Sequence, residues 1–419
     1  MERRKRVCSL NVIFVSNRFE TSLGAGGTEF VTADLIAALT DRGVRIRWFA
    51  MDDDAQPRGD IEGLVRVGLK CAPATGPFRG WRAREDEVAE AIAEECRGER
   101  PDLVHITHFS RTGLGFLSHP VLEAVPKVMS LTDYSLVCAD HQMTHRETRR
   151  QCGPFVTDRE CADCVADSKG ANRFGGPSPR GLGCWRRRNL EVCREQICAI
   201  WTQTPFQRDL LVATGVPRER VVSAVARYQI PESWAETGAH EPSRFLFLGR
   251  ESWEKGLHVL LDGYRQWNGR IPLRVISVPD DHRYGAELRA SSVGDTRIEW
   301  RSAVPRDTLG AELEAARALF VPSLWAENHP MVMEYALALG VPVFCSSLPS
   351  LQHLLGRPGV NAVIGYSEPL AWLRALDSAA RTADPCPNRA SKLRREYEAF
   401  VDDTLRTYQR AIRKARTQP

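Results

Sequence analysis

Short apolar runs of strand length alternate with helical stretches along most of the chain. The first cycle begins with an apolar run at 12–15, continues with a helical stretch at about 28–39, and returns to a strand at 45–49. The helical stretch has apolar residues on one face, whereas the strands are nearly continuous apolar runs. Continuous apolar strands are buried on both faces, which is typical of a parallel sheet covered by helices. The pattern therefore predicts a doubly wound α/β fold.

The same alternation occurs a second time after a polar stretch. Further strands are predicted in the N-terminal half at 103–106, 128–131 and 200–202, and in the C-terminal half at 245–248, 273–278, 297–300, 319–321, 341–345 and 362–364. A chain of 419 residues also exceeds one ordinary core. We predict two Rossmann-like domains facing a cleft, at 1–226 and 244–387, with a linker at 227–243 and a basic C-terminal helix at 388–419.

Composition places the chain among soluble globular proteins. Hydrophobic residues make up 43% and charged residues 26%, and the net charge of +4 is too small to indicate a nucleic-acid partner. The sequence has no run of about 18 apolar residues, as a membrane-spanning helix needs. The basic start, Arg3 to Arg6, precedes an apolar run that predicts a first strand better than a signal peptide. We expect a cytoplasmic protein.

Positive charge is concentrated near the end of the chain. Between Arg389 and Arg416 there are nine Arg or Lys and four Asp or Glu, a balance of +5. A charge run of this kind usually forms the solvated face of a helix. Peripheral contact with the inner face of a membrane is the alternative that remains open.

A glycine-bearing loop follows the first predicted strand. It reads Gly24-Ala25-Gly26-Gly27 and leads into the first predicted helix. Glycines allow backbone N–H groups to approach a phosphate, and a helix N-terminus adds partial positive charge. Glu29 stands where the dinucleotide fingerprint would have its third glycine. The loop indicates either a phosphate contact or a plain tight turn.

Two cations follow the first strand of the second cycle. That strand ends at Gly249 and presents Arg250, and Lys255 comes five residues later, just before a predicted helix. The bidentate fork of Arg and the compact charge of Lys suit a diphosphate. We therefore predict phosphate binding here, against the alternative of two surface cations.

A third motif joins a strand end to a helix. Residues 322–330 read P-S-L-W-A-E-N-H-P and contain Glu327, and the helix that follows carries Glu334 and Tyr335. A carboxylate at a strand end can bind sugar hydroxyls, and the helix N-terminus can hold a phosphate.

The order and spacing of these three motifs resemble glycosyltransferase family 4, a group of retaining GT-B enzymes that use nucleotide-activated sugars. The resemblance covers about residues 11–380 and is most specific at 322–343. The segment 202–216, which begins Thr-Gln-Thr-Pro-Phe, also looks like the last segment of that family's N-terminal domain. The resemblance implies the GT-B fold, a nucleotide-diphosphate sugar as donor and no catalytic metal.

The resemblance also implies roles for individual residues. Glu327 would contact the sugar near the reacting centre. Contacts to the donor diphosphate are implied for Gly26, Gly27, Arg250 and Lys255. Backbone N–H groups near the sugar or phosphate are implied for the segment Asn328, His329, Pro330 and Met331. The acceptor is expected to enter from the N-terminal domain, near the glycine loop and Asp133.

The chain departs from the family pattern at two positions. The family's second Glu, which holds the nucleotide ribose, would fall at Tyr335, whereas Glu334 lies one residue early. On a helix this turns Glu334 away by about 100°. Glu334 and Tyr335 are both predicted to bind the donor, Tyr335 through a hydrogen bond to a hydroxyl or Glu334 through a shift of the helix. Many relatives have His before an Asp-Tyr pair, but here Thr132 precedes Asp133. Thr can donate a hydrogen bond but is a poor general base.

Two histidines follow the strand at 103–106. His105 lies at the end of that strand, toward the expected cleft, and His108 comes three residues later. We predict a catalytic role for His105 together with Glu327 and Asp133, with a buried structural histidine as the alternative.

Cysteines cluster in a segment that interrupts the strand–helix rhythm. Seven of the 12 cysteines fall between Cys138 and Cys198, and residues 138–188 are predicted to form an insertion. Four thiolates can hold a tetrahedral zinc ion. A structural zinc site is therefore predicted at Cys138, Cys152, Cys161 and Cys164. Reduced, unliganded thiols are the alternative, and some relatives carry a similar segment.

We expect an enzyme that moves a sugar from a nucleotide-diphosphate sugar to a glycan, lipid or natural-product acceptor, with retention of anomeric configuration. Tyr335 and Thr132 leave open a pseudo-glycosyltransferase that binds nucleotide without turnover. A nicotinamide oxidoreductase is a further alternative, although Ala50 and Met51 stand where an acidic residue would hold the ribose. No nucleic-acid motif is present.

Overall fold

The structure is a computed structural model in which two compact units are distinguished. One unit comprises Met1–Ala226 with Glu398–Pro419, and the other comprises Arg227–Tyr397. We call them the first and the second unit. The structure describes residues 10–22, 26–51, 61–69, 81–145, 147–153, 157–166, 179–223, 228–235, 242–280, 282–381 and 386–417. Arg3 to Arg6, Gly24 and Ala25 therefore lie outside the described residues.

A parallel sheet of seven strands forms the centre of the first unit. The strands are β1 (Asn11–Ser16), β2 (Arg45–Ala50), β3 (Leu64–Gly68), β4 (Leu103–Ile106), β5 (Lys127–Leu131), β6 (Ile197–Thr202) and β7 (Val221–Ser223). Their order across the sheet is β3-β2-β1-β4-β5-β6-β7. The order reverses beside β1, and in such sheets ligands bind at the carboxyl ends of the strands near the reversal.

Helices connect these strands. They are α1 (Gly27–Thr40), α2 (Trp81–Cys96), α3 (Asp158–Ala166), α4 (Pro179–Gln196) and α5 (Pro205–Ala213). The start of α5 follows directly from the sequence, because Thr204 accepts a hydrogen bond from the Gln207 amide at 3.0 Å and Pro205 occupies the first helical position. α3 lies within the predicted insertion at 138–188, and α4 begins in it and continues to Gln196.

The second unit repeats this architecture with six parallel strands. They are β8 (Arg244–Glu251), β9 (Leu273–Pro279), β10 (Ile298–Ser302), β11 (Ala316–Val321), β12 (Val343–Ser346) and β13 (Val360–Val363). Their order is β10-β9-β8-β11-β12-β13. Because β8 and β11 are neighbours at the reversal, the loops after these two strands lie side by side.

The helices of the second unit cover both faces of its sheet. They are α6 (Leu257–Gln266), α7 (His282–Ser291), α8 (Arg306–Glu314), α9 (Met331–Ala338), α10 (Pro369–Arg381) and the start of α11 (Ala390–Thr417). Phe245, Phe320 and Trp372 are fully buried between the sheet and its helices. Each such side chain contributes about 1.5–3 kcal/mol of apolar burial.

The predicted fold class is confirmed. Both units are parallel Rossmann-like sheets, and every strand predicted from the sequence is present, with shifts of a few residues at some ends. The two strands missed by the sequence analysis, β3 and β7, are the edges of the first sheet. Within the described ranges, no helix has the length and apolar character required to cross a membrane.

Candidate functional site

A lysine and a glutamate from the two central loops of the second unit form a close ion pair. Lys255 Nζ lies 2.6 Å from Glu327 Oε1, and Ser323 donates a hydrogen bond to the same oxygen at 2.6 Å. Glu327 is only 4% exposed. Burial alone raises the pKa of Glu327, but the Lys255 ammonium and the hydrogen bonds outweigh it and hold the pKa below its usual value. The Glu327 carboxylate is therefore ionised at neutral pH.

The loops that carry this pair are fixed by main-chain contacts. The amide of Leu324 donates to the carbonyl of Glu254 at 2.8 Å, which ties the loop after β11 to the loop after β8. Between Lys255 and α6, Gly256 has a left-handed φ of +67°, and a Cβ there would collide with the carbonyl oxygen of Pro322. Only glycine fits this turn without strain.

Arg250 lies at the end of β8, as predicted, but acidic side chains already contact it. Its guanidinium bonds Glu254 at 2.9 Å and also pairs with Asp280. The Arg250 side chain is 46% exposed. Lys255 is 22% exposed and lies 5.2 Å from the Trp325 ring centroid.

The segment after Glu327 leads directly into α9. Asn328 and His329 are each 4% exposed, Pro330 precedes the helix, and Met331 is its first residue. Pro330 has no backbone N–H and cannot donate to a sugar or phosphate, which corrects that part of the prediction. The carbonyl of His329 accepts a hydrogen bond from Tyr228 at 2.5 Å.

Glu334 and Tyr335 are neighbours on α9 but have different surroundings. Glu334 is buried and accepts hydrogen bonds from His329 at 2.8 Å and from Arg357 at 2.5 and 3.1 Å. Tyr335 is 1% exposed and packs edge-on against Trp234, with ring centroids 5.0 Å apart. Arg357, with no motif in its surroundings, was not found by the sequence analysis.

His105 belongs to the interior of the first unit. It is fully buried, and its two ring nitrogens lie 2.8 Å from Ser130 Oγ and 2.5 Å from Tyr408 Oη. Burial lowers the pKa of His105 to about 3, so the ring is neutral. This placement corrects the predicted catalytic role, because a buried ring with both nitrogens engaged cannot reach a substrate.

His108 and Asp133 form the titratable pair at the carboxyl edge of the first sheet. His108 Nε2 lies 2.9 Å from Asp133 Oδ2, and Ser135 donates to Asp133 Oδ1 through its amide at 2.8 Å and its hydroxyl at 2.5 Å. Burial alone lowers the pKa of His108, but the carboxylates of Asp133 and Glu29 outweigh it and raise the pKa to about 9. The partners of Asp133 keep its pKa below the usual range, so it is a poor base.

The glycine loop is closed by the first turn of α1. The amide of Gly26 donates to Glu29 Oε2 at 2.9 Å, a capping interaction, and Glu29 Oε1 lies 3.7 Å from His108 Nδ1. The Gly26 amide is thus engaged by a carboxylate, while Gly27 is exposed as the first residue of α1. Thr132 donates to the carbonyl of Thr107 at 3.1 Å.

The start of the cysteine-rich segment reaches the same cluster. His141 Nδ1 lies 3.8 Å from Asp133 Oδ2, and its side chain is 37% exposed. Its φ of +63° is left-handed, which is unusual for a residue with a side chain. The sequence alone gives no signal for His141 or for the role of His108, because each depends on how a loop returns to the sheet.

The structure does not support the predicted zinc site. Cys138, Cys152, Cys161 and Cys164 are free thiols that line one pocket of the first unit. Burial raises the pKa of Cys138 to about 12 and that of Cys152 to about 11. Arg186 donates to Cys161 Sγ at 2.7 Å. Throughout the described part of the chain, no three His, Cys, Asp or Glu side chains are grouped as metal ligands.

Family models match both units. The model described as "Glycosyl transferase 4-like domain" matches residues 26–224, and the one described as "Glycosyl transferases group 1" matches residues 242–381. Together the two ranges span most of the chain. No curated protein sequence matches it significantly.

Solved structures match over nearly the whole length. Sucrose-phosphate synthase from Thermosynechococcus elongatus is 16% identical, with 96% of this chain and 98% of that chain covered and a TM-score of 0.67. HepE from Anabaena in complex with UDP-glucose is 13% identical, with coverages of 98% and 100% and a TM-score of 0.64. The catalytic domain of starch synthase IV from Arabidopsis thaliana, bound to ADP and acarbose, is 12% identical, with coverages of 96% and 99% and a TM-score of 0.62.

The structural matches agree with the two parallel sheets described above, and the family models match the ranges that contain the Lys255–Glu327 pair and the His108–Asp133 pair. The chain therefore belongs to the glycosyltransferases and has the GT-B fold.

Proposed function

We propose that the chain transfers a sugar from a nucleoside-diphosphate sugar to an acceptor hydroxyl, with retention of anomeric configuration. The Lys255–Glu327 pair carries this proposal, because it places a cation and a buried carboxylate side by side at the carboxyl edge of the second sheet. The cation can bind the donor diphosphate, and the carboxylate can accept hydrogen bonds from sugar hydroxyls. Two of the similar structures were solved with UDP-glucose or ADP bound, which supports a donor of this class.

Lys255 and Arg250 divide the task of holding the diphosphate. Lys255 is held in place by Glu327, so its side chain loses little conformational entropy when it binds a phosphate oxygen. Arg250 is a half-exposed cation whose guanidinium is oriented by Glu254 and Asp280. With Gly26 engaged by Glu29, we assign the larger share of phosphate binding to the second unit.

The reaction breaks the bond between the anomeric carbon and the donor's phosphate oxygen, and forms a bond from that carbon to the acceptor oxygen. The acceptor's proton passes to the departing phosphate, so the nucleoside diphosphate leaves with it. Lys255 and Arg250 stabilise the negative charge that develops on the leaving group. Glu327 orients the sugar and is negatively charged, which favours a developing positive charge at the anomeric carbon.

For the acceptor we propose the His108–Asp133 cluster of the first unit. The protonated imidazole contributes a positive charge that can attract an acceptor oxygen, and Asp133 holds the ring in position. His108 thereby supplies the imidazole that the family pattern leads one to expect at Thr132. A glycan, a lipid headgroup or a natural-product intermediate all offer such a hydroxyl.

A peripheral membrane contact is proposed for the end of α11. Arg406, Arg410, Arg413, Lys414 and Arg416 are all exposed there. A row of exposed cations is attracted to anionic lipid headgroups.

Turnover tests the proposed reaction. The wild-type protein and a Glu327→Ala variant are incubated with UDP-, GDP-, dTDP- and ADP-glucose and a panel of saccharide acceptors, and released nucleoside diphosphate is measured. We expect release from one donor by the wild type and a loss of about hundredfold or more in the variant. Binding of a donor with no release by the wild type would instead favour the non-catalytic alternative.

A further inference from the structure

Glu334 has its carboxylate oxygens engaged by its own protein. Oε1 accepts from His329 Nε2 at 2.8 Å and from Arg357 at 2.5 Å, and Oε2 accepts from Arg357 at 3.1 Å. The residue is 4% exposed. Burial alone raises the pKa of Glu334, but the bonds and charges of His329 and Arg357 hold it well below the usual value. The carboxylate is thus a fixed anion that faces the protein interior.

The contact with Glu334 orients the rings of two histidines. A carboxylate accepts, so His329 must donate from Nε2, and its Nδ1 lies 3.1 Å from His353 Nε2. Burial lowers the pKa of His353 to about 4, which keeps that ring neutral at neutral pH. A hydrogen-bonded chain therefore runs from His353 through His329 to Glu334.

The same contact holds the backbone that connects Glu327 to α9. The side chain of His329 is held by Glu334 and His353, while its carbonyl accepts a hydrogen bond from Tyr228 at 2.5 Å. His329 is two residues from Glu327. Both the ring and the carbonyl of His329 are therefore held by hydrogen bonds close to Glu327.

The neighbouring position on α9 does not substitute for Glu334. Tyr335 packs on Trp234 and Tyr228, and the guanidinium of Arg306 lies 5.6 Å from its ring centroid. At 1% exposure its side chain contributes to packing rather than to ligand contact.

We propose that Glu334 is a positioning residue that acts through His329 on the segment bearing Glu327, and that it does not contact the donor's ribose. The proposal rests on the nucleotide-sugar donor assigned above. Because α9 then supplies no carboxylate to the ribose, the loss of Glu334 lowers the affinity for a nucleotide whether or not its ribose hydroxyls are present.

The binding experiment compares three ligands by calorimetry: UDP, 2′-deoxy-UDP and 3′-deoxy-UDP. The proteins are the full wild-type chain, Glu334→Gln and Glu334→Leu. Gln keeps an oxygen that can accept from His329 but loses the ion pair with Arg357, whereas Leu loses both. The matched control is Glu312→Gln, which removes the ion pair with Arg274, 2.8 Å long, elsewhere in the second unit.

We expect Glu334→Gln to weaken all three ligands by the same factor, on the order of three- to tenfold, and Glu334→Leu to weaken them further. The control should leave all three affinities unchanged. If a variant binds UDP more weakly but binds either deoxy analogue as tightly as the wild type does, Glu334 contacts the ribose directly and the proposal is overturned.

A second readout uses the ligand-free protein and separates this proposal from the proposed donor. In ¹⁵N-histidine NMR spectra, Nε2 of His329 should be protonated in the wild type and in Glu334→Gln, and should lose that preference in Glu334→Leu. An unchanged His329 signal in Glu334→Leu would refute the positioning role. If the wild type binds no UDP, the UDP donor fails, and the spectra still decide the role of Glu334.

Discussion

Lys255 and Glu327 show how a buried carboxylate can hold a cation ready for a ligand. Isolated burial of either charge would cost several kcal/mol, and their mutual contact offsets much of that cost. Ser323 adds a third hydrogen-bonding group on the same carboxylate oxygen. The arrangement gives both groups fixed positions before a donor binds, which is the condition for electrostatic stabilisation of a leaving group.

Replacing Lys255 with Ala should lower the affinity for the nucleoside diphosphate by about 1.5–3 kcal/mol, because a charge-assisted hydrogen bond to phosphate is lost. Calorimetry of the preferred diphosphate gives this value. Arg283→Ala is the matched control, since Arg283 has a side chain 90% exposed and pairs with Glu287 on α7. Equal affinities in wild type and Lys255→Ala would remove Lys255 from the donor site.

His108 should make stability depend on pH. Its folded pKa of about 9 lies above the ordinary 6.5, so its stabilising contribution is complete below pH 6.5 and is lost as the pH rises through 9. We expect the difference in thermal midpoint between wild type and His108→Gln to be largest at pH 6 and to shrink toward pH 10. His119→Gln, at a partly exposed histidine outside the cluster, is the control. A difference that stays constant over this range would contradict the cluster's charge state.

At this scale the sequence predicted roles for Glu327, Arg250 and Lys255 because each belongs to a local motif at a strand end. It misassigned His105, since an inward-facing histidine in a strand and a catalytic one have the same local pattern. His108 depends on Asp133, 25 residues away in sequence, and Arg357 depends on Glu334 in the same way. Such pairs are set by tertiary structure, so a single sequence gives no spacing rule for them.

The turn between β8 and α6 determines where Lys255 stands. Gly256 has a left-handed backbone, and its neighbour across the turn is the carbonyl of Pro322 in the loop after β11. The turn therefore links the two loops that carry Lys255 and Glu327. The close approach of Gly256 to the Pro322 carbonyl therefore couples the turn after β8 to the segment 322–330, which contains Glu327.

Gly256→Ala should destabilise the protein more than Gly294→Ala. Both glycines have left-handed φ values, of +67° and +89°, so both variants incur backbone strain of about 1–2 kcal/mol. Only at Gly256 would the added Cβ meet another group, whereas nothing lies within 4 Å at Gly294. The collision should add about 1–3 kcal/mol. Chemical denaturation measures both, and equal losses would contradict the close approach to Pro322.

Most elements were predictable because buried parallel strands are continuous apolar runs. β3 and β7 were missed for physical reasons: β3 is partly exposed along its length, and β7 has three residues. The zinc prediction for the cysteine-rich segment is not supported, because the described residues contain no group of metal ligands. Cysteine spacing is shared by metal sites and by pockets of reduced thiols, so the sequence alone does not distinguish them.

Across the whole chain, the excess of positive charge is located on the last turns of α11. Earlier on this helix, Glu398 and Asp402 pair with Arg42, so those acidic side chains are engaged within the first unit. Farther along, Arg413 and Lys414 are both exposed. This asymmetry along one helix is the feature that supports a membrane contact.

Co-sedimentation with lipid vesicles tests that contact. The protein should bind vesicles that contain phosphatidylglycerol more tightly than vesicles of phosphatidylcholine alone, and the double variant Arg413→Glu, Lys414→Glu should lose most of the difference, at about 1 kcal/mol per cation. Lys392→Glu, at the other end of α11, is the control. Binding that is insensitive to anionic lipid would contradict the proposal.

The most direct test of the account is a thermal-shift panel of UDP, GDP, dTDP and ADP, each with and without an attached glucose. A ligand at 100 times its dissociation constant adds about 2.7 kcal/mol of stability, which is easily measured. The account predicts a shift with one base that grows when the sugar is attached and is lost in Lys255→Ala. A wild-type protein that shows no shift with any of these ligands would contradict the assignment of a nucleotide-sugar site to the second unit.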